Sequence, residues 1–301
     1  MDTDSFWTFR DDRGREVTAP RRPRRIVAYV PAAAAALQHL GVTVAGIYGS
    51  PHDKDGLDPV KADGLSSADV AYLGAGTDLT APAVLAAEPD LFVSVTYDGT
   101  RVYGVEPGVV EELEAAVPTV ALAVGPGHRL LSVRDRFGEL ARALGTGGGH
   151  GGTGAADAEA EQLSASRLRT VARRAAHVRV LALSPADPER AHVARPGAWP
   201  DLQELAEAGL RLPDVEGPGA NWATLGWDEV AALDPDVVLT DVRSNAVPVT
   251  ELESVAGWRS VRTRAAVVPW NPELPCTSRA ISDFLDAVAR AVERKGRELA
   301  P

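Results

Sequence analysis

Short apolar runs that end at glycine, proline, asparagine or aspartate alternate with longer amphipathic segments in the first half of the chain. The runs predict strands, and the segments between them predict helices. Strands that alternate with helices at this spacing predict an α/β fold with a parallel sheet. The predicted strands are 6–9, 25–29, 42–48, 91–95 and 119–124, and the predicted helices are 32–40, a short one ending at 87, and 107–116.

The middle of the chain is rich in helix-favouring residues on both sides of a glycine-rich stretch. An amphipathic helix is predicted over 130–144, and the glycines of 145–154 predict a flexible loop. Residues 155–177 are rich in alanine, glutamate, arginine and leucine, and they predict a helix roughly 35 Å long. A helix of that length would suit a rigid strut between two lobes.

The second half repeats the α/β pattern of the first. A helix end, a Pro-Asp turn and a buried strand occur at 85–94 and again at 231–240, which predicts two related lobes. We therefore divide the chain into an N-terminal α/β lobe (1–127), a helical connector (128–177) and a C-terminal α/β lobe (178–301). The predicted strands are 179–184, 191–194, 237–240 and 265–269, and the predicted helices are 200–209, 227–233 with a cap near Thr224, 249–254 and 279–299.

Composition and charge argue against several classes of partner. Of the 301 residues 45% are hydrophobic, enough for a large core, yet no apolar run reaches the ~18–20 residues that span a bilayer. The formal net charge of −11 argues against a nucleic-acid partner and against docking on an anionic membrane. Cys276 is the one cysteine, so we expect neither an intrachain disulfide nor a multi-cysteine metal site.

The start of the chain bears on its compartment. Residues 1–5 contain neither a basic segment before an apolar one nor a cysteine that could carry a lipid anchor. We expect a cytoplasmic protein if Met1 is the native start. If an export segment has been removed, we expect an extracytoplasmic, membrane-associated protein.

Several weak motifs follow one another in a characteristic order. Phe-Arg-Asp-Asp-Arg-Gly-Arg-Glu-Val-Thr at 9–18 leads into Ile-Val-Ala at 26–28, and Leu-Gly-Val-Thr-Val-Ala-Gly follows at 40–46. Glu-Pro-Asp-Leu at 88–91 and Asp-Pro-Asp-Val at 234–237 supply one turn per half. With the long helix between the halves, this order resembles the class III substrate-binding proteins, the iron-siderophore and cobalamin type of ABC importer. The resemblance covers nearly the whole chain, and its specificity lies in the order of the motifs.

The resemblance implies a fold and a role. It implies two Rossmann-like lobes, joined by one long interdomain helix, that hold a ligand in a cleft between them. Members of the family bind ferric siderophores, haem or cobalamin, deliver them to a membrane permease, and perform no chemistry on them. We accordingly expect a monomer with no intrinsic cofactor, whose ligand brings its own Fe(III).

The sequence departs from the family where the permease docks. The family places an acidic residue seven positions before the proline of each Pro-Asp turn, and these carboxylates meet arginines of the permease. In this sequence the C-terminal position is Asp228, which we expect to dock, whereas the N-terminal position is Pro82, which cannot form an ion pair. Two explanations stay open, namely a diverged docking site and a binding-protein fold used inside the cell.

Candidate ligand contacts in the N-terminal half are mostly tyrosines. In open α/β sheets the ligand lies beyond the carboxyl ends of the strands, and four of the five tyrosines fall there. Tyrosine offers a flat face and a hydroxyl group to an amphiphilic ligand, although strand-end tyrosines can also pack on loops. The N-terminal candidates are Tyr29, Tyr48, His52, Tyr97, Arg101 and Tyr103.

Candidates in the C-terminal half are arginines and tryptophans. Arginine pairs with carboxylate or catecholate oxygens through two hydrogen bonds, and tryptophans can wall a cleft. The alternatives are a solvated surface charge and core packing. The sequence contains no recognisable catalytic motif and no histidine pair with metal-ligand spacing, so we assign no catalytic and no metal-binding residue. The C-terminal candidates are Arg195, Trp199, Trp222, Arg243 and Trp270.

The leading hypothesis is a non-catalytic protein that binds a ferric siderophore or a similar bulky chelate, with cobalamin and haem as less favoured ligands. Residues 26–125 contain three basic and thirteen acidic residues. This balance favours a neutral or cationic hydroxamate complex over an anionic catecholate. The alternatives are a cytoplasmic enzyme or biosynthetic accessory protein on the same fold, and a scaffold with a vestigial cleft.

Overall fold

The computed structural model describes residues 6–53, 56–66, 68, 70–146 and 153–299. Contacts within the chain divide it into two compact units. The N-terminal unit comprises Met1–Ala155 with Glu273–Thr277, and the C-terminal unit comprises Ala156–Pro272 with Ser278–Pro301. The connector predicted at 128–177 contains helices from both sides of this division.

A parallel sheet lies at the centre of the N-terminal unit. Its strands are β3 (Ile26–Tyr29), β4 (Val44–Tyr48), β5 (Ala71–Gly74), β6 (Leu91–Thr96) and β7 (Thr119–Ala123), and a hairpin of β1 (Trp7–Arg10) and β2 (Glu16–Ala19) precedes them. In the strand order β5-β4-β3-β6-β7, the first strand of the sheet along the chain, β3, is the central one. Strands β4 and β5 are added on one side of it, and β6 and β7 on the other. Strands β3 and β6 are buried along their whole length, as expected for parallel strands covered on both faces.

Most helices of this unit have proline in their first turn, and two of them also have a polar side-chain cap. The helices are α1 (Pro31–His39), α2 (Pro59–Ala62), α3 (Ala81–Leu85), α4 (Pro107–Ala116) and α5 (Leu130–Ala143). The Asp58 side chain accepts the Val60 N–H at 2.9 Å at the start of α2, and Thr80 accepts the Ala83 N–H at 3.4 Å at the start of α3. Both bonds satisfy backbone donors that a helix start leaves open.

The C-terminal unit has a mixed sheet. Its strands are β8 (Val180–Pro185), β9 (Arg190–Ala194), β10 (Trp222–Gly226), β11 (Val237–Asp241) and β12 (Ala266–Trp270). The order is β10-β9-β8-β11-β12, in which β9 runs antiparallel to both neighbours while β8, β11 and β12 run parallel. The carboxyl ends of β8, β11 and β12 therefore lie along one edge.

Helices cover both faces of this sheet. They are α6 (Thr153–Arg174), α7 (Pro200–Glu207), α8 (Trp227–Ala232), α9 (Ala256–Arg264) and α10 (Ser278–Glu298). Under one face, Trp227 and Trp258 pack with sheet residues such as Val193 and Val238. On the other side, Arg167 of α6 pairs with Glu293 of α10 at 3.4 Å. The long helix predicted as a strut thus packs within the C-terminal unit over its residues 156–174.

The predicted alternation of strands and helices is confirmed, whereas the predictions for some individual elements are wrong. The helix predicted at 107–116 and the long helix are present. The cap predicted near Thr224 is wrong, because Thr224 lies inside β10 and α8 begins after Gly226. The predicted glycine loop falls at 147–152 outside the described residues, and residues 153–154 already belong to α6. Strands β5 and β10 and helices α2 and α9 were not predicted from the sequence.

These omissions have a physical reason. Strand β10 contains one β-branched residue, and α2 is a single turn whose start depends on the Asp58 cap. Neither has the periodicity on which the strand and helix predictions depend. Over the part of the chain that the structure describes, no helix is both long enough and apolar enough to cross a membrane.

Candidate functional site

Two tyrosine rings pair at the carboxyl end of β6. The ring centroids of Tyr97 and Tyr103 are 4.7 Å apart and both rings are half-buried. The Tyr103 N–H donates to the Val95 carbonyl oxygen at 2.9 Å, which fixes the returning loop. Gly125 lies so close that a Cβ there would be 2.2 Å from the Tyr97 carbonyl oxygen. The glycine therefore lets β6 and the segment after β7 bring this aromatic pair to the edge of the sheet.

The turn between these tyrosines carries an exposed arginine. The Asp98 carboxylate accepts the backbone N–H groups of Thr100 and Arg101 at 2.8 Å and the Arg101 Nε–H at 2.9 Å. These bonds, that from the Arg101 backbone first, hold the pKa of Asp98 well below its usual range. The Arg101 side chain is 80% exposed, so its charge faces solvent beside the tyrosine pair.

Tyr29 and Tyr48 lie inside the N-terminal unit. Tyr29 is fully buried, and its hydroxyl has no hydrogen-bond partner among the described residues. Burial, followed by the influence of Tyr103 and Asp53, raises the pKa of Tyr29 above its usual range. Tyr48 is 5% exposed, and burial also raises its pKa. A ligand contact for either residue stays a prediction.

A buried lysine near the predicted site was missed by the sequence analysis. Lys61 Nζ lies 2.6 Å from Asp53 Oδ1 and 2.9 Å from Glu273 Oε1, and the Lys61 side chain is fully buried. Asp53 Oδ2 also accepts the Ser50 N–H at 2.6 Å, so this loop, which includes the exposed His52, is fixed from inside. A lone lysine has no spacing signature, and its partner Glu273 is distant in sequence.

The segment Glu273–Thr277 has a second polar contact within the N-terminal unit. Thr277 Oγ1 donates to Asp63 Oδ2 at 2.5 Å. Together with the Lys61 ion pair, this bond attaches both ends of the short segment to the N-terminal unit. The neighbouring Cys276 is buried.

Three predicted tryptophans meet in the C-terminal unit. We call Trp199, Trp222 and Trp270 the tryptophan cluster, whose ring centroids are 4.8, 5.9 and 6.0 Å apart in pairs. Trp199 and Trp270 are buried, whereas Trp222 is half-buried and presents the cluster to solvent. The His192 ring lies 6.4 Å from the Trp222 ring, and its Nδ1 is 2.9 Å from Thr224 Oγ1. An aromatic surface edged by an imidazole and a hydroxyl suits an amphiphilic ligand.

Each member of the cluster lies at the end of a regular element. Trp199 is the N-cap of α7, Trp222 is the first residue of β10, and Trp270 is the last residue of β12. Trp222 pairs with Ala194 on β9, whose small side chain leaves room for an indole above the sheet. The Trp199 Nε1–H donates to the Asn221 carbonyl oxygen at 3.2 Å. Regular backbone and hydrogen bonding therefore hold the three rings.

A buried carboxyl group supports the cluster from behind. Asp201 is 2% exposed and its Oδ2 accepts the indole N–H of Trp270. Burial raises the pKa of Asp201 to about 7, while the Trp270 bond, the backbone N–H groups of Leu202 and Asp201 and the Arg243 charge act in the opposite direction. The sequence analysis missed Asp201, because an acid in the first turn of a helix is ordinary.

The two arginines chosen for ligand oxygens are engaged within the C-terminal unit. Arg243 is 7% exposed and pairs with Asp241, with Nη2 2.7 Å from Oδ2 and Nε 3.0 Å from Oδ1. Arg195 donates to the carbonyl oxygens of Val215 at 2.5 Å, of Gly219 at 2.8 Å and of Gly217. Arg195 thus anchors the loop before β10. A ligand contact for either arginine stays a prediction.

The predicted docking position is exposed in the C-terminal unit. Asp228 lies in the first turn of α8, beside Glu229, whose carboxylate accepts the Gly226 N–H at 2.7 Å and closes the helix start. Pro82 is exposed in the first turn of α3. Among the described residues, no group of three or more histidine, cysteine or acidic side chains is arranged to hold a metal ion.

Comparison with known proteins gives no match to a family model and none to a curated protein. Solved structures do match. The ferric-siderophore receptor DesE from Streptomyces coelicolor is 27% identical, with a TM-score of 0.83 over 95% of this chain and 98% of that chain. The siderophore periplasmic binding protein from the fuscachelin gene cluster of Thermobifida fusca is 18% identical, with a TM-score of 0.63 over 90% and 97%. The periplasmic heme-binding protein RhuT from Roseiflexus sp. RS-1 is 21% identical, with a TM-score of 0.65 over 91% and 99%.

These matches and the two α/β units define the fold. The chain has the fold of the class III substrate-binding proteins, and the resemblance inferred from the sequence is confirmed at that level. Its structural relatives are named as binding proteins and receptors rather than as enzymes.

Proposed function

We propose that this protein binds a ferric siderophore or a similar bulky metal chelate as the substrate-binding component of an iron-uptake ABC importer. The observation that carries the proposal is the similarity to the ferric-siderophore receptor DesE, at 27% identity and a TM-score of 0.83 over 95% of the chain. The enzyme alternative has no comparable support.

The aromatic surfaces of the two units supply the chemistry for such a ligand. Tyr97, Tyr103 and Trp222 are the half-buried aromatic groups among the candidates. Flat rings bind the organic envelope of a chelate, while hydroxyl and imidazole groups bind its polar atoms. In this proposal the chelate completes the coordination of its own Fe(III), and the protein supplies no metal ligand.

The charge of the chain favours one chelate class. The net charge of −11 favours a neutral or cationic ferric hydroxamate over an anionic catecholate. Arg243 is neutralised by the buried Asp241, and the exposed Arg101 pairs with Asp98.

Isothermal titration calorimetry tests the proposal. The panel consists of ferric hydroxamate, catecholate and carboxylate siderophores, cobalamin and haem, with iron-free siderophores as controls. We expect saturable binding of a ferric hydroxamate and equal binding of its gallium(III) complex, because the protein makes no bond to the metal. Binding of haem or cobalamin alone would contradict the choice of a siderophore, and binding of none would contradict the function itself.

Docking on a permease is the further part of this proposal. The exposed Asp228 is the residue that we propose for it, and the position of Pro82 offers no matching charge in the N-terminal unit. The relatives titled periplasmic support an extracytoplasmic location. Ligand-stimulated ATPase activity of a reconstituted importer, compared between wild type and Asp228→Ala, tests the docking role.

A further inference from the structure

An incompletely paired carboxyl group lies behind the tryptophan cluster. Asp201 Oδ2 accepts the Trp270 indole N–H, but Asp201 Oδ1 makes no hydrogen bond to the described residues. A buried acceptor without a partner costs stability, and it is rare in folded proteins. Packing alone therefore does not account for an aspartate at this position.

The contacts of Trp270 connect this carboxyl group to the solvent-facing ring. Trp270 meets Trp199 edge-on with ring centroids 6.0 Å apart, and it meets Trp222 at 5.9 Å. Trp270 is 1% exposed, so its orientation is set by these neighbours and by the Asp201 bond. A change in that bond reaches Trp222 through direct ring contact.

No strong ion pair among the described residues fixes the Asp201 carboxyl group in its charged form. Arg243, after β11, is the cation that acts on it, and Asp241 neutralises Arg243 through a two-point pair. Glu204 follows one turn later on α7 and is buried. Trp270 on β12 is uncharged, and His192 on β9 contacts the cluster on the Trp222 side. Burial, opposed in part by the Trp270 bond, raises the pKa of Asp201 to about 7.

We propose that Asp201 is a positioning residue for the tryptophan cluster, and that its charged form holds the Trp270 indole while protonation loosens that hold. The orientation of Trp222, and with it the affinity for a ligand, then depends on pH. The positioning role stands on contacts within the C-terminal unit, whereas the effect on affinity rests on the proposed function. Because hydrogen bonds to charged acceptors are stronger than those to neutral ones, we expect roughly five-fold weaker chelate binding at pH 6 than at pH 8.

Nuclear magnetic resonance of the indole groups tests the positioning role without any ligand. The six tryptophans are labelled with ¹⁵N, and Trp270→Phe assigns the Trp270 indole signal. We expect this signal to shift as the pH crosses about 7, and we expect Asp201→Asn to abolish the shift. An indole signal that is constant between about pH 5.5 and 8.5, or one that shifts equally in Asp201→Asn, overturns the proposal.

His192 needs its own control, because histidine side chains in general take up a proton in this pH range. The shift must persist in His192→Gln, and its loss there overturns the role of Asp201. If Asp201→Asn does not fold, the wild type still decides. The ¹³C carboxyl signal of Asp201 must then titrate with the same midpoint as the Trp270 indole, and different midpoints contradict the coupling.

Measurements of chelate affinity distinguish this proposal from the proposed function. Chelate affinity measured at pH 6 and pH 8 should change in the wild type and stay within about two-fold in Asp201→Asn. A protein that binds no chelate contradicts the proposed function, while the indole titration continues to test Asp201. A protein that binds a chelate with no pH-dependent indole shift contradicts the Asp201 proposal alone.

Discussion

The N-terminal and C-terminal units present aromatic side chains on different kinds of support. Tyr97 and Tyr103 lie on a loop that is shaped by the Tyr103–Val95 backbone hydrogen bond, by the bonds of Asp98 within the turn and by the nearby Gly125. The tryptophan cluster is built on the ends of two strands and one helix. Sites on regular elements are held more firmly than sites on loops. Aromatic side chains are therefore carried by a hydrogen-bonded loop in one unit and by the ends of regular elements in the other.

The units also differ in how their buried charged side chains are paired. In the N-terminal unit, Lys61 is enclosed by Asp53 and Glu273, so each buried charge has a partner. In the C-terminal unit, Arg243 and Asp241 pair with each other. Asp201 accepts the Trp270 indole N–H, and its Oδ1 makes no hydrogen bond to the described residues. A paired buried charge stabilises its surroundings, whereas an incompletely paired one costs stability and responds to pH.

The largest expected effect comes from breaking the N-terminal pair. Lys61→Met leaves the carboxylates of Asp53 and Glu273 buried without their cation, and we expect a loss of about 3–5 kcal/mol in the free energy of unfolding. Urea unfolding followed by circular dichroism measures it. Because Asp53 is the more buried partner, the double variant Lys61→Met/Asp53→Asn should recover part of the loss.

Arg297 provides a surface control for that variant. Its Nη2 pairs with Glu293 Oε1 at 3.0 Å on the exposed side of α10, and such pairs contribute about 1 kcal/mol or less. Arg297→Met should therefore be mild. Equal destabilisation by Lys61→Met and Arg297→Met would contradict a structural role for the buried pair.

A smaller effect is expected in the C-terminal unit, where removing the charge of Asp201 should make the free energy of unfolding less dependent on pH. The pKa of Asp201 rises on folding from its usual 3.8 to about 7, so the folded state binds this proton more tightly. Its contribution to stability is full at low pH and is lost as the pH rises through about 7. Between pH 5 and pH 8 the wild type should lose on the order of 2 kcal/mol more than Asp201→Asn.

Urea unfolding at several pH values measures this difference. If Asp201→Asn has the same pH slope as the wild type, the carboxyl group titrates at its ordinary value and the contrast between the units disappears. A larger slope in the variant would reverse the sign of the argument.

The fold could be predicted from the sequence because many weak signals agree. Buried strands such as Leu91–Thr96 carry apolar runs that stop at polar turns, and helices such as Pro107–Ala116 begin at proline. Strand β10 could not be predicted, because its pairing with β9 is a tertiary effect. Short elements that depend on a neighbour leave little signal in their own residues.

The aromatic groups of the candidate site could be selected from the sequence, and their contact with a ligand stays a prediction. The carboxyl-end rule selects Trp270 and Tyr97, which do belong to aromatic groups. It also selects Tyr29, which is fully buried beside Phe92. Lys61 and Asp201 were missed, because burial and distant partners, rather than spacing, make them unusual.

The most direct test of the account is tryptophan fluorescence during titration with a ferric hydroxamate siderophore. We expect saturable quenching in the wild type, and about ten-fold weaker binding in Trp222→Ala, because this variant removes the solvent-facing ring. Trp258→Phe is the matched control, since Trp258 packs against Trp227 in the core and should leave the affinity unchanged. The absence of quenching, or an equal loss of affinity in both variants, would contradict a chelate-binding role for the tryptophan cluster.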